Sequence, residues 1–400
     1  MNQTNIFGNV WVAIIAGGRG TRLFPLSHNE CPKQFCQLDS ENTFIQATAK
    51  RFISIGVKPN RIVILTTNDN QTRLASEQLT SLGIITPNLY QIDECYGYAG
   101  AMIKVAEFIK QHDKNAIIIN TPSDQYIVES PNFTETIKLA INDAANGQPT
   151  IIGVKVNDLV TFTGCGHALY DPEEPGDCKT VKGFVEKPDL KEAEVMMRRD
   201  DSACNTGINV WNVNTILKAA KKFDVENDQI PTDALMDSFT KLSLAIGKFD
   251  WYDCGTLKSL YDISKKTPNH KNATLGGGFV ERKDCLRSLF YSVEGINLYA
   301  DNVLDAAVVI NIIKDRVFVA IVSMDKSQLV KQLANDYNQY ALVLDYDFSV
   351  QARNNIIPYT NFSAEINVGF VGVHDYVVTA IKGKEGEINI IVSGKNKIRV

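Results

Sequence analysis

The sequence predicts an α/β protein: a three-layer α/β/α sandwich followed by a smaller β-rich region. Short apolar runs alternate with helical periodicities through residues 1–265. Those runs are apolar on both faces, as strands are when helices cover both sides of a parallel sheet. Beyond a stretch rich in Pro, Asn, Lys and Gly, strand-like runs take over.

In order, strands are expected at Val10–Ile15, Arg61–Leu65, Ala116–Asn120, Thr150–Val154 and Asn205–Val210. Helical patterns fall at Phe44–Phe52, Gln71–Leu82, Ala99–Gln111 and Phe133–Ala145. Residues 266–278, with three consecutive glycines, are expected to form a linker. Residues 279–400 are expected to form a β-rich domain. Its strands are Ala307–Ile313, Val317–Val322, Ala341–Val343, Ile366–Val371 and Asn389–Val392, with one helix at Lys326–Tyr337.

A length of 400 residues fits about two domains. The apolar fraction of 44% and charged fraction of 22% are those of a globular protein. No run approaches the ~18 apolar residues of a membrane span, and the start, MNQTNIFGNV, lacks a secretory pattern. A cytoplasmic protein without membrane partners is expected. A net charge of −5 disfavours nucleic acid as a partner. The eight cysteines are scattered without CxxC spacing and are expected to be free thiols.

The first strand runs into Gly17-Gly18-Arg19-Gly20-Thr21-Arg22-Leu23. Glycines at the carboxyl edge of a parallel sheet let backbone N–H groups face a phosphate. Arg22 offers a planar fork of donors to phosphate oxygens. No acidic residue occurs between Gly8 and Asn29, so the local field is positive. The Walker pattern is absent, and Leu23 breaks GxGxxG.

With Phe24-Pro25-Leu26-Ser27 and Pro32-Lys33-Gln34-Phe35, the segment resembles the signature of sugar-1-phosphate nucleotidyltransferases, most closely the mannose-1-phosphate guanylyltransferases. The resemblance covers about residues 10–265 and implies a Rossmann-like nucleotidyltransferase domain. It assigns the nucleotide to Gly17, Gly18, Gly20 and Thr21, and the triphosphate to Arg22 and Lys33. Family members often carry a left-handed β-helix after this domain, which extends that expectation to residues 279–400.

Asp124 follows the apolar run Ala116–Ile119 and suits a turn cap after Pro122 as well as a metal ligand. Asp253, in Trp251-Tyr252-Asp253-Cys254-Gly255-Thr256, suits a helix N-cap as well as a ligand. The resemblance makes both of them Mg²⁺ ligands. Gln125 stands where the family has His and is expected to matter little.

On the sugar side, Thr163-Gly164-Cys165-Gly166-His167 resembles the family's TGYGY loop, with Gly166 meeting the sugar through its backbone. His167 by itself reads as a surface or satisfied histidine. Glu186-Lys187-Pro188 resembles F-x-E-K-P: by resemblance Glu186 takes sugar hydroxyls and Lys187 the sugar phosphate. Asn205 resembles the Asn of a sugar-contacting strand, and Trp211 reads as core. Asp93–Met102 departs from the guanylyltransferase pattern; only the helix start with Ala99 survives as a substrate contact.

The implied reaction joins an NTP, with GTP favoured, to a sugar 1-phosphate, with mannose 1-phosphate favoured, and releases pyrophosphate. The alternatives are another sugar or base, or a catalytically silent binding subunit. A homodimer is expected.

Overall fold

A computed structural model describes residues 6–18, 23–37, 42–85, 88–93, 96–225, 229–313, 316–324, 365–371, 376–382 and 388–394. The chain divides into two compact units, residues 1–18 with 44–253, and residues 19–43 with 254–400.

The first unit opens with β1 (Val10–Ile15), α1 (Phe44–Ser54), β2 (Ile62–Thr66), α2 (Asp69–Leu79) and β3 (Leu89–Gln91). Next come α3 (Gly97–His112), β4 (Ile117–Pro122), β5 (Tyr126–Ile127), α4 (Pro131–Ala145) and β6 (Thr150–Val154). Then follow α5 (Leu159–Gly164), β7 (Gly166–Leu169), β8 (Cys178–Thr180), β9 (Gly183–Glu186) and α6 (Leu190–Met197). The unit ends with β10 (Ser202–Asn212), α7 (Val213–Ala220), α8 (Thr232–Asp237), β11 (Ser243–Gly247) and β12 (Trp251–Tyr252).

Local chemistry sets the helix starts. Asn68 caps α2 by accepting from Gln71 N, and Ser130 caps α4 by accepting from Phe133 N, with Pro131 in the first turn. In the main sheet the order is β3-β2-β1-β4-β10-β6-β11-β8, and β7 joins β10 to β9. Strands β1 to β4 are mutually parallel along this path, with Ile15 opposite both Leu65 and Pro122. Because β2 and β4 flank β1 on opposite sides, β1 lies at a switch point, where a crevice opens outside the carboxyl ends.

The apolar runs are buried on both faces: Val12, Ala13, Ile64, Leu65, Ile118 and Ile119 have no exposed surface. One layer packs the α3 side chains Met102, Val105 and Ala106 against Trp11, Ile118 and Trp211. Trp211 is core, as expected. The run Asn205–Val210 is longer than expected and runs the other way. As β10 it pairs antiparallel with β4 and β6, and its register shifts between Asn205 and Asn209. Periodicity gives burial and not direction, so this reversal had no signal in the apolar pattern.

The second unit contains the single turn Lys33–Phe35 and then α9 (Leu257–Ile263), whose start is a reciprocal Thr256–Ser259 capping box. Its strands are β13 (Ala273–Leu275), β14 (Val280–Lys283), β15 (Leu289–Ser292), β16 (Ile296–Asp301) and β17 (Ala306–Ile313). They continue with β18 (Arg316–Ser323), β19 (Glu365–Val371), β20 (Tyr376–Lys382) and β21 (Ile388–Gly394). One sheet has the order β13-β15-β17-β18-β19 and the other β14-β16-β21-β20.

From β13 to β17 the chain alternates between these sheets, each strand lying parallel to the one two before it in the same sheet. That is the pattern of a stacked β-coil. An antiparallel hairpin, β17–β18, then interrupts it. Phe290, Leu298, Val308, Val319 and Ile390 fill the core.

Two features bear on the expected boundaries. Residues 266–278 contain β13, paired with β15, where a free linker was expected. Residues 254–265 and 19–43, expected in the first domain, group with the second unit. The stretch from Phe24 to Phe35 is held there by local bonds: Asn311 Nδ2 donates to Pro25 O at 2.8 Å, and Phe24 meets Phe318 edge-on. The helix expected at Lys326–Tyr337 and the strand expected at Ala341–Val343 lie outside the described residues.

Candidate functional site

Ala16, just past β1, donates its N–H to Leu65 O at 2.7 Å, which carries the sheet register to the edge of the glycines. Gly17 O then accepts from Thr67 Oγ1 at 3.2 Å and from Gln71 Nε2 at 3.1 Å. Gln71 is itself buried and accepts from Thr67 N at 2.9 Å, so the carbonyl side of the loop is fixed by α2. A Cβ on Gly17 would sit 2.5 Å from Thr67 Cγ2, whereas one on Gly18 would meet nothing within 4 Å. Glycine at 17 is thus required by close approach and at 18 leaves open space. Gly20, Thr21 and Arg22 lie outside the described residues.

Asp124 lies two residues beyond β4, half-buried. Its neighbours are fixed on both sides. Thr48 Oγ1 donates to Ser123 O at 3.5 Å, and Gln125 Nε2 donates to Thr206 O at 2.6 Å. The indole N–H of Trp251 completes the clamp by donating to Gln125 Oε1 at 2.9 Å.

β5 and β12 pair antiparallel, with Tyr126 opposite Tyr252 and Ile127 opposite Trp251. Asp253 directly follows β12, and Asp124 stands two residues before β5. Gln125, expected to matter little to the chemistry, has a structural part: its amide joins β10 and β12 just past the end of β4.

A further residue, unassigned by sequence reasoning, stands nearby. Tyr98 donates its hydroxyl to Gly207 O at 2.9 Å, and its phenol is pushed well up by burial and then by the negative charge of Asp124. The aromatic at the second position of α3, immediately before Ala99, was the available signal. Ala99 is fully buried against the sheet.

Gly207 has φ +75°, and a Cβ there would crowd Pro122 at 3.0 Å. The turn is fastened by Asn205 Oδ1, which accepts from Gly207 N at 3.0 Å. This occupies the Asn205 oxygen and leaves its amide N–H₂ group for other partners.

The TGYGY-like segment ends α5 and begins β7. Gly166 lies opposite Glu186 across the β7–β9 ladder, and a Cβ at 166 would strike Glu186 Oε2. Glu186 and Lys187 form an exposed ion pair at 2.8 Å, with Lys187 at φ +46° and its N–H bonded to Cys165 O at 3.2 Å.

His167 is fully buried, stacked on Phe162 at 3.8 Å between ring centroids, with Nε2 bonded to Phe162 O at 2.8 Å. Burial holds its pKa below the usual value. The surface reading fails and the satisfied one holds in part: Nε2 is bonded, whereas the buried Nδ1 has no hydrogen-bond partner among the described residues. Lys33 belongs to the second unit, where it is almost fully buried in the turn Lys33–Phe35.

Taken singly, the carboxylates of Asp124 and Asp253 are hard oxygen donors of the type that suits Mg²⁺, which needs one or two protein carboxylates when substrate phosphates supply the rest. Among the described residues, no group of three or more metal-type side chains occurs. Likewise no helix among them is long and apolar enough to cross a membrane.

A family model described as nucleotidyl transferase matches residues 12–270. Over 287 residues the chain is 27% identical to the mannose-1-phosphate guanylyltransferase of Escherichia coli; the match covers 63% of this chain and 61% of that one. Over 369 residues it is 26% identical to the mannose-1-phosphate guanylyltransferase RfbM of Salmonella typhimurium, covering 82% and 73%. It thus spans less than two thirds of the Escherichia coli relative. Among solved structures, a Thermus thermophilus protein described as a mannose-1-phosphate geranyltransferase shares the fold. Its TM-score is 0.68 at 23% identity, covering 82% of this chain and 99% of that one.

Proposed function

Because the chain belongs to the nucleotidyl transferase family, we propose that it transfers a nucleoside monophosphate from an NTP to a sugar 1-phosphate and releases pyrophosphate. The substrates proposed are GTP and mannose 1-phosphate, the pair that relatives' names point to. The observation that carries the reading is the Gln125 clamp, which supports a paired role for Asp124 and Asp253 at the switch-point end of the sheet.

A phosphate oxygen of the sugar attacks the α-phosphorus, a P–O bond to that oxygen forms, and the bond to pyrophosphate breaks. Both reactants are anions, so alignment and charge neutralisation are the work required. Asp124 and Asp253 are assigned to hold Mg²⁺. When bound, the ion supplies positive charge to the phosphate oxygens.

Gly17 and Gly18 are assigned the nucleotide, because their carbonyls are turned to Thr67 and Gln71. Gly20 and Thr21 share that role, and Ala99 packs the helix start beside it. Arg22 and Lys33 are assigned the triphosphate. Glu186 and Asn205 take sugar hydroxyls, Lys187 the sugar phosphate, and Gly166 contributes backbone. A homodimer and a cytoplasmic setting belong to the same proposal.

A second reading keeps the reaction and changes the sugar or the base. Cys165 and His167 replace aromatics of the sugar loop, and the ring of His167 is stacked on Phe162 inside the unit. The test is pyrophosphate release with Mg²⁺, four NTPs and dTTP crossed with a panel of sugar 1-phosphates. Release with GTP and mannose 1-phosphate upholds the first reading, and release with another pair upholds the second. Silence across the panel rejects both.

A further inference from the structure

Two thiols bracket Lys33. Cys31 Sγ and Cys36 Sγ are 3.8 Å apart, both in the second unit. Cys31 is half-buried and Cys36 buried. The backbone holds them face to face. His28 and Cys31 exchange both N–H···O bonds, at 3.0 and 3.1 Å, and Cys36 N closes the turn on Lys33 O at 3.0 Å. The Cys36 thiol lies within reach of three carbonyls, Leu26 O at 3.3 Å, Cys31 O at 3.5 Å and Pro32 O at 3.6 Å.

We propose that Cys31 and Cys36 are a modification site: a peroxide oxidises them to a reversible disulfide that disables the turn carrying Lys33. The catalytic consequence rests on the function proposed above, whereas the bond itself does not.

Their chemistry is unequal in the direction this requires. The Cys36 S–H bonds to Cys31 and favours the Cys31 thiolate, while the same bond and then burial hold Cys36 protonated. The half-buried Cys31 thiolate attacks the peroxide oxygen, giving Cys31–SOH and hydroxide. Cys36 sulfur then attacks Cys31 sulfur, and the leaving hydroxyl takes the Cys36 proton as water. In total, two thiols and one hydrogen peroxide give one disulfide and two waters. A dithiol reductant reverses it by exchange.

To bond, the sulfurs approach by roughly 1.8 Å. Lys33 and Gln34, both almost fully buried, lie inside the six-residue ring so formed and cannot keep their packing.

The sequence supplies the assay. Trypsin cuts after Arg22, Lys33 and Lys50, so it puts Cys31 in peptide 23–33 and Cys36 in peptide 34–50. The full chain is reduced, desalted, treated with hydrogen peroxide and digested without reductant. The expected result is a linked peptide pair that dithiothreitol separates. Pyrophosphate release should fall about a hundredfold and return on reduction, while Cys31→Ser keeps its rate under the same peroxide.

Unlinked peptides overturn the proposal, and so does linkage with undiminished release. If the reduced enzyme is silent with every substrate pair, the functional reading fails on its own. The peptides still uphold or overturn the disulfide.

Discussion

Trp251 donates its indole N–H to the side-chain oxygen of Gln125, and the other end of the same amide donates to Thr206 O. One amide therefore uses both its donor and its acceptor to tie three segments that carry candidate ligands. Gln125→Leu leaves the buried indole and carbonyl unpaired, at about 1–3 kcal/mol each. The expected result is a lower denaturant midpoint and a higher Mg²⁺ requirement for pyrophosphate release. A midpoint equal to wild type would contradict the clamp.

Asp253→Asn keeps size and removes charge. Transfer is expected to drop by about a hundredfold or more while thermal stability stays unchanged. Steady-state rates alongside a melting curve decide it, and near-normal turnover rejects the metal assignment.

Adjacent glycines should answer differently. Gly17→Ala drives a methyl against Thr67 Cγ2 and is expected to destabilise by about 1–3 kcal/mol. Gly18→Ala meets open space and should stay within about 0.5 kcal/mol of wild type. Urea midpoints of the two variants provide the comparison.

Gly166→Ala places its methyl on Glu186 Oε2, the far end of an exposed side chain that can swing aside. Stability should barely change. If Glu186 holds sugar hydroxyls, the KM for the sugar 1-phosphate should rise about tenfold, equal to about 1.4 kcal/mol; an unchanged KM removes Glu186 from that role.

His167 is buried with its pKa held below the unfolded value of 6.5. The unfolded chain therefore binds a proton more readily than the folded one. Stability from this group is complete above 6.5 and is lost as the pH falls from there through the folded value. His167→Phe, which retains the stack on Phe162, should flatten that part of the curve. Urea midpoints at pH 7.5 and 5.5 test it.

Some of this was legible in the sequence and some was not, for physical reasons. β1 and the glycines Gly17 and Gly18 after it are a local pattern, an apolar run meeting a turn, and they fall where expected. α4 was readable from its apolar spacing over Phe133–Ala145, two residues short of its start at Pro131. The direction of β10 was hidden because a buried strand has the same composition either way. The role of Gln125 was hidden because Trp251 lies 126 positions away. Placement of Phe24–Phe35 in the second unit depends on Asn311, 286 positions from Pro25, and no local rule reaches that far.

The pairing of β16 with β21 carries a lesson about synthesis. Ile296–Asp301 lies parallel to Val280–Lys283 on one edge and to Ile388–Gly394 on the other. On the ribosome, β16 can pair with β14 early, but its other edge stays open until the last segment has emerged. An open strand edge of this kind is a template for wrong partners. Chains cut short before residue 388 should therefore fail by clumping during production, even though the whole family-matched region, residues 12–270, has already been made.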